Sequence, residues 1–240
     1  MGANYAAQVS KQMPLVDDPA STAYLTELGN TLAKLTERSD LVWHFAIVDS
    51  KDVNAFAVPG GYIYVNRGLI ERAQTMAQVA GVVGHEIGHV VRRHSVKQME
   101  KEKGASIGYA GLCIVSPQTC RDAGDVISVA ANGVFAKFSR DDEAEADAEG
   151  VKLLVRAGID PHGIPQMFRI LLDERKQTPG ALDTFFASHP LEEDRIAATN
   201  ALIAQYPAAQ LKGMVVDGPR FQEFKQRLQS LPVSKRASKQ

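Results

Sequence analysis

The residues best suited to chemistry stand together in His85-Glu86-Ile87-Gly88-His89, which has the pattern His-Glu-x-x-His. On an α-helix, side chains four residues apart leave the same face, so His85 and His89 can offer two imidazoles to one metal ion. Glu86 leaves the helix about 100° away, where a carboxylate can take a proton from activated water without binding the metal itself. The spacing therefore predicts a zinc site with a general base beside it.

The sequence around this motif predicts the helix that must carry it. Thr75 and Gln78 fit a capping box at the start, and the pattern favours a helix that continues through Arg92-Arg93-His94 to about Lys101. Apolar residues recur at the spacing of a buried stripe, at Met76, Val79, Val83, Ile87, Val90 and Val91. A glycine weakens a helix by about 1 kcal/mol, so another backbone is expected to pack closely at Gly81, Gly84 and Gly88. The alternative is an ordinary core helix that carries two histidines by chance.

A third ligand has to come from elsewhere in the chain. Metalloproteases with three histidine ligands need a glycine three residues, and a histidine six residues, after the second histidine. Here those two positions hold Arg92 and Ser95. His94 is therefore excluded as a ligand, and we expect it either at the surface or behind a ligating side chain.

The acidic stretch after residue 138 offers that third ligand. Ser139 and the acids that follow it suit the first turn of a helix. Glu143 and Asp147 lie four residues apart on this helix and would repel each other in water, whereas a zinc ion and an imidazole N–H would relieve the repulsion. We therefore predict Glu143 as the third zinc ligand and Asp147 as the acceptor for a ligating histidine. The alternative is a solvated acidic face, which is the interpretation we give to Glu145 and Glu149.

Composition places the chain among globular proteins of ordinary size. It has 240 residues, 45% hydrophobic and 23% charged, enough for a full core. We expect a single domain over residues 1–240, with its core at about 15–205 and a peripheral segment at 206–240.

The net charge of −1 argues against a nucleic-acid partner. No apolar signal segment follows Met1 and no apolar run is long enough to span a bilayer, so we expect a soluble chain without a transmembrane segment.

Several segments before the motif are expected to frame the site. Asp18-Pro19 predicts the start of a helix, and residues 41–48 predict a strand in which His44 is structural. Residues 54–66 predict two short strands around a Pro-Gly-Gly turn. An extended peptide could add to the open edge of this hairpin, although a plain hairpin fits the sequence equally well. The residues predicted to bind such a peptide are Asn54, Ala55, Phe56, Ala57, Gly60 and Gly61.

The later segments are less distinctive. Residues 104–138 are rich in Gly and Ala and predict one or two helices beside the site. Helices are expected at 160–176, with a structural His162 near the start, and at 191–204, with His189 just before it. Residues 207–240 predict a peripheral strand and helix with a basic tail. Cys113 and Cys120 could form a disulfide or remain reduced thiols, and their spacing does not decide between the two.

Four blocks of the sequence, taken in order, resemble the CAAX-prenyl-protease family of zinc metallopeptidases. That family includes the bacterial heat-shock membrane protease and soluble periplasmic proteases of outer-membrane quality control. The blocks are residues 54–61, residues 85–89, Ser139-Arg140 with Glu143 and Asp147, and Ser188-His189-Pro190 before a helix that holds Arg195. The resemblance implies a helix-rich α+β fold of the zincin-like, gluzincin type. Such a fold has an active-site helix with the motif, a second helix that donates glutamate, and a small β-sheet at the cleft.

The resemblance also implies roles for single residues. A family histidine that matches His189 lies near the metal and can occupy its open position in closed forms. Members embedded in the membrane carry transmembrane helices, so this chain resembles the soluble, exported branch rather than one that processes prenylated peptides. Export would favour a disulfide between Cys113 and Cys120. The roles carried over are zinc binding for His85, His89 and Glu143, catalytic acid and base for Glu86, and support of a ligand for Asp147.

We therefore predict a zinc endopeptidase of the bacterial cell envelope, acting in the periplasm or at the periplasmic face of the outer membrane. Its substrates would be unfolded or misassembled envelope proteins, and the sequence leaves the oligomeric state open. Glu86 would act as general base, and His189 and Arg195 are candidates for the donor that stabilises the oxyanion. The alternative is a chaperone-like binding module for unfolded outer-membrane proteins with incidental proteolysis, although binding alone needs no Glu86. A structural zinc site is disfavoured, because such sites are closed by four ligands and this one has three.

Overall fold

The computed structural model of the chain describes residues 2–98, 100–101, 138–178, 182–190 and 193–234. Cys113 and Cys120, most of the stretch at 104–138, and the basic tail after residue 234 lie outside these ranges. What the sequence predicts for them stays a prediction. Within the ranges, the fold is helix-rich with one small sheet, as expected.

The sheet has three strands, β1 (His44–Val48), β2 (Ala55–Val58) and β3 (Tyr62–Asn66), in the order β1-β3-β2. β1 runs parallel to β3, and β2 pairs antiparallel with β3 through the predicted turn. Gly61 in that turn has a φ of 91°, and a Cβ there would lie 2.8 Å from the Val42 carbonyl oxygen, so the turn requires glycine. β2 forms an edge whose outer side pairs with no other strand in the described part of the chain.

Ten helices with defined bounds surround this sheet in the described ranges. Asp18 caps the second of them by accepting a hydrogen bond from the Ser21 amide, and Pro19 begins it, as predicted. None of the described helices combines the length and apolar character that a membrane span requires. In chain order they are α1 (Gly2–Gln12), α2 (Pro19–Ala33), α3 (Arg67–Arg72), α4 (Met76–Val91), α5 (Arg140–Ala157), α6 (Gly163–Gln177), α7 (Asp183–Ser188), α8 (Glu193–Ile203), α9 (Ala208–Leu211) and α10 (Pro219–Ser230).

α4 carries the His-Glu-x-x-His motif and is buried along nearly its whole length. It packs most extensively against α5. A Cβ on Gly88 would lie 2.8 Å from the carbonyl oxygen of Ala146, and one on Gly84 would lie 3.4 Å from the Cα of Gly150. The two helices therefore approach backbone to backbone, as the glycines predict. This close approach allows short acidic side chains on α5 to reach the histidines of α4.

The start of α4 differs from the predicted capping box. Thr75 occupies the N-cap position, but its side chain makes no capping hydrogen bond, and Gln78 accepts from the Gln74 amide at 2.7 Å instead. The cap comes from Asp217, whose Oδ1 accepts from the Met76 amide at 3.0 Å. This residue is 141 positions away in the sequence, so a pattern of neighbouring residues cannot reveal it.

The C-terminal segment is more deeply embedded than the sequence suggests. α10 is helical as predicted, but it buries Phe221, Phe224 and Leu228 in the hydrophobic core that also contains residues of α2 and α4. The predicted strand is reduced to a single bridge between Val215 and Ile159. The three apolar residues of α10 fall on one helical stripe, which is the signal that such a helix packs on a core.

The end of α4 is the largest departure from the predicted elements. The helix stops at Val91 and does not continue to Lys101. Arg93 has a φ of 60°, a left-handed conformation that costs a residue with a Cβ about 1–2 kcal/mol, and residues 94–98 are helical again. The turn buries His94, which is 2% exposed, so the surface position considered for it is wrong.

Candidate active site

Three of the predicted site residues converge between α4 and α5. His85 and His89 leave the same face of α4, and their Nε2 atoms lie 3.0 Å apart. Glu143 enters from the first turn of α5, with carboxylate oxygens 3.5 Å from His85 Nε2 and 3.2 Å from His89 Nε2. A capping box between Ser139 and Asp142 fixes the start of α5 and so sets the position of Glu143. All three converging side chains are buried.

The donor set fits a bound metal ion. His85, His89, Glu143 and His189 each offer one ligand atom, and these atoms all lie within 4.8 Å of one another. Around a tetrahedral zinc ion with ligands at about 2.0–2.2 Å, the ligand atoms are about 3.3–3.6 Å apart. The two histidines and Glu143 have separations of 3.0, 3.2 and 3.5 Å, so they are spaced to share one such ion.

Two buried polar atoms in the cluster have no hydrogen-bond partner among the described residues, namely Glu86 Oε2 and His189 Nε2. His189 Nε2 lies 3.6 Å from the other carboxylate oxygen of Glu86. Buried polar atoms are nearly always satisfied, and an exception usually marks a water, an ion or a functional group. The pair therefore indicates a site that takes a ligand.

Asp147 and Arg195 stand behind the converging side chains. Asp147 Oδ1 accepts a hydrogen bond from His85 Nδ1 at 2.8 Å. Arg195 donates to both oxygens of Asp147, at 2.9 and 2.8 Å. It also donates to Glu143 Oε2 at 2.6 Å and to the Pro190 carbonyl oxygen at 3.0 Å. These bonds direct the guanidinium to acceptors within the chain. In this geometry the guanidinium contacts the two carboxylates, and the oxyanion-donor role considered for Arg195 stays a prediction.

His189 reaches the cluster from the end of α7, where it is the C-cap residue. Its Nδ1 lies 3.0 Å from Glu143 Oε1. A carboxylate only accepts hydrogen bonds, so this nitrogen carries a hydrogen, and Nε2 is the ring atom that faces Glu86. Phe185 stacks on the imidazole, with 5.4 Å between ring centroids, which helps to fix its orientation.

Burial and charge act on the acid–base groups in opposite directions. Burial alone would lower the pKa of His85, but Glu143 and Asp147 override it and raise the pKa to about 10. Burial alone would raise the pKa of Glu143, but His189 and His85 hold it well below its ordinary value, so this carboxyl is ionised. For Glu86 burial dominates and raises the pKa. The carboxylates of the site thus favour positive charge beside them, which a metal cation would supply.

Two residues at the site were missed or left undecided by sequence reasoning. Phe138 stacks on His89, with 3.9 Å between ring centroids and 25° between the planes, and an apolar residue before a helix gives no signal of this. His94 places its Nδ1 2.9 Å from His89 Nδ1, behind that histidine. Burial lowers the pKa of both His89 and His94, so the two rings are neutral.

The acidic face of α5 only partly matches the predicted solvated surface. Glu145 is exposed as expected, and its Oε2 lies 3.3 Å from His94 Nε2. Glu149 is buried instead, with Arg92 at 2.9 Å and Lys152 at 3.0 Å. The prediction for Glu149 is wrong because its partner Arg92 belongs to the turn that ends α4, which charge patterns on α5 do not show.

The predicted substrate edge runs along β2, which packs against α4. Within this strand only Ala57 is partly exposed, and Asn54 before it is buried, with an Oδ1 that makes no hydrogen bond to the described residues. Pro59 and Gly60 line a small cavity together with His89. The turn at the end of β2 therefore opens beside the cluster.

The sequence is similar to known metallopeptidases. The profile of the family described as Peptidase family M48 matches residues 19–203. The Beta-barrel assembly-enhancing protease of Escherichia coli (strain K12) is 30% identical over 223 residues, which are 90% of this chain and 45% of that protein. The Mitochondrial metalloendopeptidase OMA1 of Arabidopsis thaliana is 31% identical over 188 residues, 78% of this chain and 37% of that protein. Metalloprotease YcaL of Escherichia coli (strain K12) is 32% identical over 156 residues, 63% of this chain and 59% of that protein.

The chain thus spans less than half the length of the first two of these relatives. The matches confirm the metallopeptidase resemblance that the four sequence blocks suggest. With the His and Glu cluster beside a small sheet, they also confirm the zincin-like, helix-rich fold class.

Proposed function

The chain belongs to peptidase family M48, and on that premise we propose that it is a zinc-dependent endopeptidase. The observation that carries the proposal is the cluster of His85, His89 and Glu143, with the unpartnered carboxylate oxygen of Glu86 beside it. An ion held by three protein ligands keeps a coordination position for chemistry. A carboxylate next to that position completes the groups that peptide hydrolysis needs.

In the proposed hydrolysis, the residues of the site have separate roles. Zinc, when bound, supplies Lewis acidity that activates water and polarises the scissile carbonyl. Glu86 accepts a proton on Oε2, the oxygen without a partner in the described part of the chain, and returns it to the leaving amine. His85, His89 and Glu143 are the ligands, and their burial keeps bulk water away from the reacting groups.

Asp147 and Arg195 position the ligands in this proposal. Asp147 accepts the Nδ1 hydrogen of His85, so Nε2 is the atom that would give its lone pair to a bound metal ion. Arg195 pairs with both Glu143 and Asp147 and offsets the repulsion between carboxylates four residues apart. The guanidinium thus keeps two acids ionised and in place on one helix face.

We place a polypeptide substrate along the outer edge of β2. An extended chain pairs with an exposed strand edge through main-chain hydrogen bonds, a mode that accepts many sequences and suits unfolded proteins. The turn at Gly60 opens beside His89, so a chain bound along this edge would pass the ligands. The edge residues in this proposal are Asn54, Ala55, Phe56, Ala57, Gly60 and Gly61.

The proposed substrates are unfolded or misassembled proteins of the bacterial cell envelope. We propose that the enzyme binds and cleaves them on the periplasmic side. The name Beta-barrel assembly-enhancing protease and the 30% identity to that protein support this location. Because the chain covers 45% of that relative, the proposal concerns the peptidase region that the two proteins share.

Cleavage of an unfolded polypeptide before and after metal removal tests the proposed function. A denatured, fluorescently labelled protein is incubated with the chain as purified, after complete chelation, and after return of stoichiometric zinc. We expect cleavage to stop on chelation and to return with zinc. Cleavage that survives complete metal removal would overturn the proposal. A zinc-loaded chain that binds the polypeptide without cutting it would favour the chaperone-like alternative.

We further propose that His189 restrains the enzyme rather than donating to the oxyanion. Its Nδ1 hydrogen faces Glu143, which leaves Nε2 as the atom that can ligate a bound metal ion, and a nitrogen that ligates the metal cannot donate to the oxyanion. His189→Ala should therefore raise the rate of polypeptide cleavage at unchanged zinc content. His162→Ala serves as a control, because that ring contacts Asp160 on another part of the surface. A fall of about 100-fold would instead assign His189 to transition-state stabilisation, and unchanged kinetics would leave a structural role.

A further inference from the structure

The two histidines of the motif are supported from behind in different ways. His85 directs Nδ1 to the carboxylate of Asp147 at 2.8 Å. His89 directs Nδ1 to a second imidazole, that of His94, with 2.9 Å between the two Nδ1 atoms. His89 is 1% and His94 2% exposed. This is a buried hydrogen bond between two rings, so one nitrogen carries the hydrogen and the other presents a lone pair.

The surroundings of His94 decide which ring donates. Its Nε2 lies 3.3 Å from Glu145 Oε2 and 3.6 Å from Asp142 Oδ1. Carboxylates only accept, so a neutral His94 keeps its hydrogen on Nε2 and presents a lone pair at Nδ1. His89 must then donate from Nδ1. Its own lone pair is consequently on Nε2, the atom that lies 3.2 Å from Glu143.

We propose that His94 is a positioning residue that holds His89 in the tautomer a metal ligand requires. It does for His89 what Asp147 does for His85, and the inference rests on the proposed function because it presumes a metal ion at the cluster. Supporting acceptors of this kind are usually carboxylates or carbonyls. An imidazole acceptor adds no negative charge to a buried site that already contains the carboxyl groups of Glu86, Glu143 and Asp147.

The turn after α4 is built in a way that favours this contact. If the helix continued, the five steps from His89 to His94 would place the second ring about 140° round the axis, on a different face. The left-handed Arg93 breaks the helix and brings His94 back behind His89. The Arg93 side chain is 61% exposed and has a loose ion pair with Glu100 at 4.0 Å, which contributes little. Burial of His94 and the backbone hydrogen bonds of the turn are the interactions left to offset the strain.

Two substitutions at one position test the inference. His94→Leu fills the space without an acceptor, whereas His94→Asn places an oxygen near the position of the histidine Nδ1. We expect His94→Leu to weaken zinc binding by roughly 10–100-fold, measured by competition with a chelator of known affinity. The visible spectrum of the cobalt-substituted protein should change with it. His94→Asn should recover most of the affinity and the wild-type spectrum, and His162→Leu should match the wild type in both.

The outcomes separate this inference from the proposed function. If His94→Leu binds zinc as tightly as the wild type, the inference is overturned and the proposed function stands. The leucine and asparagine variants could instead lose zinc affinity equally, in proportion to a lower melting temperature of the metal-free protein. His94 would then be structural, and the inference would also be overturned. If the wild type itself binds no zinc, the proposed function fails and the inference fails with it.

Discussion

Replacing Glu86 by glutamine should lower the rate of polypeptide cleavage by orders of magnitude and leave the zinc content of the protein unchanged. Glutamine keeps the size of the side chain but cannot accept the proton, and loss of a general base costs about 10²–10⁴-fold in rate. The metal should remain because the described contacts of His85, His89 and Glu143 do not include a hydrogen bond from Glu86. Steady-state cleavage of a denatured polypeptide, with metal analysis of the same samples, measures both quantities.

The stability of this variant separates a catalytic effect from damage to the fold. Glu86 is 1% exposed, and its Oε2 has no hydrogen-bond partner in the described ranges. A buried carboxylate oxygen without a hydrogen-bond partner costs stability. Glutamine brings no charge to this buried position, so the variant should leave the melting temperature unchanged or raise it. Asp141→Asn, at an exposed carboxylate in the first turn of α5, is the matched control and should keep full activity. Near-wild-type turnover by zinc-loaded Glu86→Gln would refute the proposed mechanism.

Replacing Glu143 by alanine should remove stoichiometric zinc from the protein and, with it, cleavage. Two imidazoles remain, and Arg195, whose Nη1 lies 2.6 Å from Glu143 Oε2, would keep only Asp147 as a carboxylate partner and leave more of its positive charge beside the metal position. The loss of zinc affinity should therefore exceed the roughly 10–100-fold typical of a supporting residue. Competition with a chelator of known affinity measures the change directly.

Asp141→Ala is the control for this second variant. Both substitutions remove an acid from the first turn of α5, where a negative charge contributes about 0.3–1 kcal/mol through the helix dipole. The two proteins should thus lose similar helix-dipole stabilisation and differ sharply in zinc binding. Equal zinc affinity in Asp141→Ala and Glu143→Ala would show that the third ligand is misassigned.

Much of the site could be predicted from sequence because its main distances are set within single helices. The spacing of His85 and His89 fixes their common face without tertiary information. Gly84 and Gly88 indicate a close neighbour, and the structure shows α5 there. On α5 the same spacing rule brings Glu143 and Asp147 to one face, although their roles as ligand and support stay proposals.

The features that sequence reasoning did not find depend on contacts between distant segments. The sequence marks Arg195 as a candidate site residue, but it does not show that this side chain donates from α8 to carboxylates on α5. Asp217 caps α4 from the C-terminal segment. His94 is buried through a left-handed Arg93, a conformation that local propensity opposes and that tertiary packing stabilises.

Anomalous diffraction on both sides of the zinc absorption edge, from crystals of protein shown to cleave polypeptides, tests the central claim most directly. The claim is that His85, His89 and Glu143 hold the catalytic zinc ion. We predict a strong anomalous peak bounded by the two Nε2 atoms and the Glu143 carboxylate. An active protein with no zinc peak at that position, or with its zinc held by other residues, would contradict the account.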